Sequence, residues 1–154
     1  MSTRATARQK PTSPLASISP KKIRVLCVDD SRDITAMLKM VIDAEPDMVC
    51  VGCLASADNL IAEARRLSTT PSTPSPTPLV IILDATMPGK NPLEAMRELA
   101  AAIPQVRTII YSGHDDPGFV ARAIDAGAWG CVSKREEPAA ITRAVCEVWA
   151  GRAC

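Results

Sequence analysis

Five polar positions follow apolar runs of the kind that form strands. Asp29 and Asp30 follow Ile23–Val28. Asp84 follows Leu79 to Leu83, Ser112 follows Val106 to Tyr111, and Lys134 follows Gly130 to Ser133. Three carboxylates gathered at one edge repel each other unless a cation neutralises them. An all-oxygen donor set suits Mg²⁺, which takes a few carboxylates and fills its remaining positions with water and phosphate oxygens. A carboxylate beside Mg²⁺ and a lysine is placed to attack a phosphoryl group and keep it covalently. Taken singly, each residue has a plainer role. Asp29, Asp30 and Ser31 suit a helix start, Asp84 and Ser112 suit turns, and Lys134 suits a solvated surface. Five such residues at four strand ends favour the chemical reading.

Those positions gain meaning from the elements between them. Ile34, Met37, Leu38, Val41 and Ile42 recur at helical spacing after the first strand, and Pro46 closes that helix. Met48 to Leu54 reads as a second strand. Leu60, Ile61, Ala64 and Leu67 mark a second helix. A third helix spans roughly Pro92 to Ala102, and a fourth runs from Phe119 to Ala126, stopped by Gly127. Pro138 opens a last one carrying Ile141, Ala144, Val145, Val148 and Trp149. The β-α unit repeats five times. That order predicts an α/β fold, a three-layer α/β/α doubly wound sandwich on a five-stranded parallel sheet. In such sheets the site lies beyond the carboxyl ends of the strands.

The remaining sequence bounds the molecule. With 154 residues, 47% apolar and 23% charged, there is room for one ordinary domain. No apolar run approaches the ~18 residues of a membrane span. Arg4, Arg8 and Lys10 are not followed by the apolar stretch of a secretory signal. A cytoplasmic location and no membrane partner are expected. Residues 1–20 read as a disordered basic leader, and residues 68–78, rich in Ser, Thr and Pro, as a flexible loop inserted in a domain spanning 21–151. Residues 1–24 carry six basic residues and no acid, whereas the remainder carries 12 basic and 17 acidic residues, a net of −5. An acidic body argues against direct nucleic-acid binding.

Cys50 and Cys53 have the C-x-x-C spacing. On a regular strand, residues three apart face opposite sides, so these thiols are not expected to share a ligand. Cys27, Cys50, Cys53, Cys131 and Cys146 are expected as small apolar core residues in a reducing compartment.

The arrangement resembles the receiver domain of two-component response regulators. The resemblance rests on Val28-Asp29-Asp30-Ser31, Leu83-Asp84-x-x-Met87-Pro88-Gly89, Tyr111-Ser112-Gly113 and the run Ala126 to Lys134. It implies the flavodoxin-like strand order 2-1-3-4-5. It implies Asp84 as phospho-acceptor and Asp29, Asp30, Asp84 and the Thr86 backbone carbonyl around Mg²⁺. Lys134 would pair with Asp84 and then with a phosphoryl oxygen, to which Ser112 would also donate. Thr86 and His114 hold positions that tune phosphoryl lifetime in this family. Cys131 replaces the family's switch aromatic, Arg135 replaces the proline after the lysine, and Pro92 replaces a glycine.

The function implied is a single-domain, stand-alone response regulator in a phosphorelay. It would be loaded by a sensor histidine kinase or histidine phosphotransfer protein and would signal through a protein target. It would be a monomer or a phosphorylation-dependent dimer, and a switch in place of an enzyme. No output domain is expected after Lys134. One alternative is a receiver-like scaffold that works without phosphorylation. Another is an aspartate-nucleophile phosphatase, which would show Asp-x-Asp where this chain has Asp84-Ala85-Thr86. A dinucleotide-binding oxidoreductase would need a Gly-x-Gly-x-x-Gly run that is missing after the first strand.

Overall fold

The computed structural model describes residues 22–69, 79–114 and 116–154. The expected leader at 1–20 and most of the 68–78 loop lie outside them. Ten elements alternate among the described residues: β1 (Ile23–Val28), α1 (Arg32–Asp43), β2 (Met48–Leu54), α2 (Leu60–Ser68), β3 (Leu79–Asp84), α3 (Pro92–Ala102), β4 (Arg107–Ser112), α4 (Pro117–Asp125), β5 (Gly130–Ser133) and α5 (Ala139–Trp149). The strands form one parallel sheet in the order β2-β1-β3-β4-β5. This is the flavodoxin-like order, with the switch in direction between β1 and β3.

Strand alternation explains the two cores. Every residue of β3 is buried, because helices cover both faces. Leu79, Ile81 and Leu83 point into one core, with Leu60 and Leu67 from α2 and Met96 and Leu99 from α3. Val80 and Ile82 point into the other, with Leu38 and Ile42 from α1 and Ile141, Val145 and Val148 from α5. A fully buried Leu or Ile contributes about 1.5–3 kcal/mol, so β3 is the anchor from which the site loops leave.

Side-chain caps fix those loops where the helices begin. The Ser31 hydroxyl accepts the Ile34 N–H at 3.4 Å, and Asn91 accepts the N–H groups of Leu93 and Glu94. Asp116 accepts the Phe119 N–H at 2.9 Å, with Pro117 in the first turn. Pro138 is the cap of α5 and not its first residue. β3 and β4 each extend one residue beyond the expected run, so Asp84 and Ser112 are the last residues of their strands.

One expectation fails on β2. Its register against β1 passes from Val25↔Cys50 to Leu26↔Gly52, leaving Val51 as an extra residue. This bulge shifts the alternation by one position. Cys50 and Cys53 therefore share a side, their sulfurs 3.9 Å apart. Gly52 permits the close approach, since a Cβ there would stand 3.2 Å from Leu26 Cδ1. Cys53 and Cys146 are exposed, not core residues, and Cys131 is half-buried; Cys27 and Cys50 are buried as expected. Trp129 is partly buried beneath the Arg107 guanidinium, 4.5 Å away. Among the described residues no helix is long and apolar enough to cross a membrane.

Candidate functional site

The carboxyl ends of β1, β3 and β5 bring four side chains together. Asp29 leaves β1 buried, 2% exposed, and its Oδ1 accepts the Ser31 N–H at 2.9 Å. Asp84 ends β3 at 3% exposure, and its Oδ1 accepts the Thr86 N–H at 3.2 Å. Asp30 is exposed at the mouth. One oxygen from each of Asp29, Asp30 and Asp84 lies within 4.8 Å of the other two. Lys134, after β5, reaches back over the sheet. Its Nζ stands 2.8 Å from Asp29 Oδ2 and 3.3 Å from Asp84 Oδ1.

Register explains the reach of Lys134. Its N–H donates to the Ser112 carbonyl at 2.8 Å, which locks the start of the β5–α5 loop to the end of β4. Tyr111, opposite Asp84 across β3 and β4, lies with its ring 5.6 Å from Lys134 Nζ. The ammonium is thus held between two carboxylates and an aromatic face.

The charges do not balance. Burial, first, and the neighbouring Asp29 charge push the Asp84 carboxyl above the usual range, against the Thr86 N–H and Lys134, which lower it. Burial works against the Lys134 ammonium, but the Asp29 hydrogen bond and the Asp84 charge outweigh it and hold its pKa above the ordinary value. One ammonium faces three carboxylates whose donors are all oxygens. That donor set fits a hard divalent cation such as Mg²⁺, with Asp29, Asp30 and Asp84 as the side chains able to hold it.

Ser112 is buried, and its Oγ accepts the His114 N–H at 2.9 Å. The His114 ring packs near Phe119 with centroids 6.1 Å apart. Ser112, His114 and Cys131 line an open cleft of about 350 Å³ beside Val120 and Glu136. Cys131 packs against the α2–α3 core. Thr86 contributes its N–H to Asp84. No cis peptide occurs among the described residues, so the Lys134–Arg135 bond is trans.

Sequence reasoning found the carboxylates and the lysine but missed their supports. Asp29 is the nearer partner of Lys134. Asp58 accepts the Lys90 N–H at 3.0 Å and ties the β2–α2 loop to the loop after Asp84, where Gly89 takes a positive φ of 93°. Neither pairing has a local sequence signal, because each joins residues far apart in the chain.

Comparison with known proteins agrees with this geometry. The transcriptional activator protein ExaE of Pseudomonas putida is 42% identical over 76 residues, 49% of this chain and 36% of that protein. The transcriptional regulatory protein DegU of Brevibacillus brevis is 27% identical over 128 residues, 83% of this chain and 50% of that one. The chain spans about half or less of the length of these curated relatives. A two-component response regulator of the LuxR family from Aurantimonas sp. SI85-9A1 superposes with a TM-score of 0.75 at 28% identity, covering 86% of this chain and 89% of that one. A family model described as the response regulator receiver domain matches residues 25–146, a span that holds nearly all of both cores, the three carboxylates and Lys134. The chain belongs to the response regulator receiver domain family.

Proposed function

We propose that this receiver is switched by a phosphoryl group carried on Asp84. The observation that carries the reading is the position of Lys134, between Asp29 and Asp84 beside a third carboxylate. An Asp84 oxygen attacks the phosphorus of a phosphohistidine. The P–O bond forms, the P–N bond breaks, and the imidazole leaves with a proton. Asp84 ends as an acyl phosphate. Lys134 keeps Asp29 as one partner and exchanges the Asp84 carboxylate for a phosphoryl oxygen. Ser112 turns its hydroxyl from the His114 N–H to another phosphoryl oxygen, which draws the β4–α4 loop inward. Asp29, Asp30, Asp84 and the Thr86 carbonyl would hold Mg²⁺, which when bound neutralises the charge that develops on the transferring group. Thr86 and His114 tune the lifetime of the acyl phosphate. Cys131, in the cleft beside Ser112, reads the loop movement by packing in place of a swinging ring.

The donor is a sensor histidine kinase or histidine phosphotransfer protein, in the cytoplasm. The chain turns over no substrate beyond its own acyl phosphate. The output of residues 22–154 is protein contact, as a monomer or as a dimer formed on phosphorylation. The matches to relatives named as transcription regulators cover 36% and 50% of those proteins. The portion they share with this chain is the receiver, and its acidic body favours a protein partner over DNA.

Intact-mass measurement with a small-molecule phosphodonor and Mg²⁺ tests the reading. The chain gains one base-labile phosphoryl group, and Asp84→Asn gains none. An unmodified chain, under conditions that label another receiver, favours a scaffold role. A gel-shift assay showing retained duplex DNA would overturn the protein-contact output.

A further inference from the structure

Three cysteines meet on the side of the sheet covered by α1. Cys50 Sγ stands 3.9 Å from Cys27 Sγ and 3.9 Å from Cys53 Sγ. The three sulfurs meet pairwise, with Cys50 common to both contacts. They do not converge as the three carboxylates do, the one group among the described residues whose ligand atoms all lie within 4.8 Å of one another. Two pairwise contacts suit sulfur–sulfur chemistry, whereas a metal needs its ligands around one point.

The bulge decides which pair can bond. Cys50 and Cys53 sit opposite Val25 and Cys27, which are two residues apart on β1. Their Cα atoms are therefore about two strand steps apart, roughly 6.6 Å at ~3.3 Å per residue. On an unbulged strand the separation would be roughly 10 Å. Disulfides span about 4.4–6.8 Å between Cα atoms. Cys27 and Cys50 lie on a diagonal between neighbouring strands, roughly 8 Å apart, beyond that range. Cys53 is exposed and opens the pair to solvent, while Cys27 is fully buried. The Asp43 carboxylate accepts the Cys50 N–H at 2.8 Å and holds the backbone at the start of the bulge.

We propose that Cys50 and Cys53 close a reversible intramolecular disulfide, making the β2 bulge an oxidation site for hydroperoxides. Contact with the Cys27 thiol draws Cys50 down to about 6, so Cys50 supplies the thiolate. Burial and the Cys50 charge push Cys53 up to about 11, so it waits as a thiol. The Cys50 thiolate attacks one oxygen of hydrogen peroxide. The O–O bond breaks, hydroxide leaves and takes up a proton as water, and Cys50 becomes a sulfenic acid. The Cys53 sulfur then attacks Cys50. The S–S bond forms, the S–O bond breaks, and the second oxygen leaves as water with the Cys53 proton. Two thiols lose two electrons and two protons, and one peroxide becomes two waters. A dithiol reductant reverses the change. Leu54, next to Cys53, accepts the Asp29 N–H at 3.0 Å, so the bridge would end on the backbone that carries the acidic pocket.

The test treats the dilute, reduced full chain with hydrogen peroxide, then denatures it, alkylates it and maps its peptides. The peptide holding Cys50 and Cys53 should lose the mass of two hydrogens and resist alkylation until dithiothreitol is added. Cys27 should remain alkylatable. A folded Cys53→Ser chain, checked by circular dichroism, should lose this change altogether. Full alkylation of both cysteines after peroxide would overturn the proposal. So would a bridge from either cysteine to another one, irreversible oxidation of Cys53 alone, or persistence of the two-hydrogen loss in Cys53→Ser.

Discussion

The acidic pocket and the thiol cluster are both built on neighbouring strands, yet they differ in how the sheet delivers their side chains. Asp84 ends β3, a central strand buried on both faces and in unbroken register with β1 and β4. Cys50 and Cys53 lie on β2, an edge strand whose register slips at Val51. In the centre of the sheet, two cores fix which way each residue points. At the edge, one inserted residue is tolerated, and it reverses every side chain that follows. Regular register delivers charge to a mouth reached from solvent. Broken register folds two thiols onto one face.

Breaking the central region should have the largest effect. Lys134→Ala removes the only ammonium within salt-bridge distance of Asp29 and Asp84 among the described residues. Acyl phosphate formation from a small phosphodonor should slow by about 100-fold or more, as when a charge-stabilising donor is lost at a reacting centre. Stopped-flow or timed intact-mass measurements read this directly. A rate within a few-fold of the parent would leave Lys134 a structural residue.

The edge region should respond to volume and not to charge. Gly52→Val places carbon where only 3.2 Å separates a Cβ from Leu26 Cδ1. Denaturant unfolding should show a loss of about 1–3 kcal/mol, the usual cost of overpacking, with the phosphorylation rate nearly unchanged. An equal loss in both properties would mean that the bulge and the acidic pocket behave as one unit.

The smallest effect sharpens the contrast, because here removing a charge stabilises. Asp84 is held above the ordinary carboxylate range by burial and by Asp29. The folded chain thus binds that proton more tightly than the unfolded chain does. Ionisation of Asp84 weakens the fold as pH rises through the raised value, and the penalty is absent below the ordinary carboxylate pKa. Asp84→Asn, which leaves Lys134 paired with Asp29, should raise Tm by about 3 °C at neutral pH without Mg²⁺. The gain should vanish in acid and shrink when Mg²⁺ is added. A variant that is less stable at neutral pH would show that Lys134 over-compensates the carboxylate.

The same contrast explains what could be read from the sequence. Leu79 to Leu83 is a continuous apolar run followed by Asp84, and β-α repetition alone placed that acid beside Asp29 and Lys134. The strand order and the family were legible from those positions. Val51 was not: Met48 to Leu54 carries no period that separates a bulged strand from a regular one, and Gly52 is a weak signal by itself. The Tyr111 ring under Lys134 and the nearer pairing of Lys134 with Asp29 depend on cross-strand register, which no local pattern encodes. The same holds for Asp58 and Lys90, thirty-two positions apart.

In the proposed function Asp84, and not another carboxylate or hydroxyl of the pocket, receives the phosphoryl group. Borohydride reduction of the phosphorylated chain converts an aspartyl phosphate to homoserine, which peptide sequencing by mass spectrometry then locates. Homoserine is expected at position 84 alone. Homoserine at Asp29 or Asp30, or a borohydride-resistant phosphate on Ser112 or His114, would contradict it.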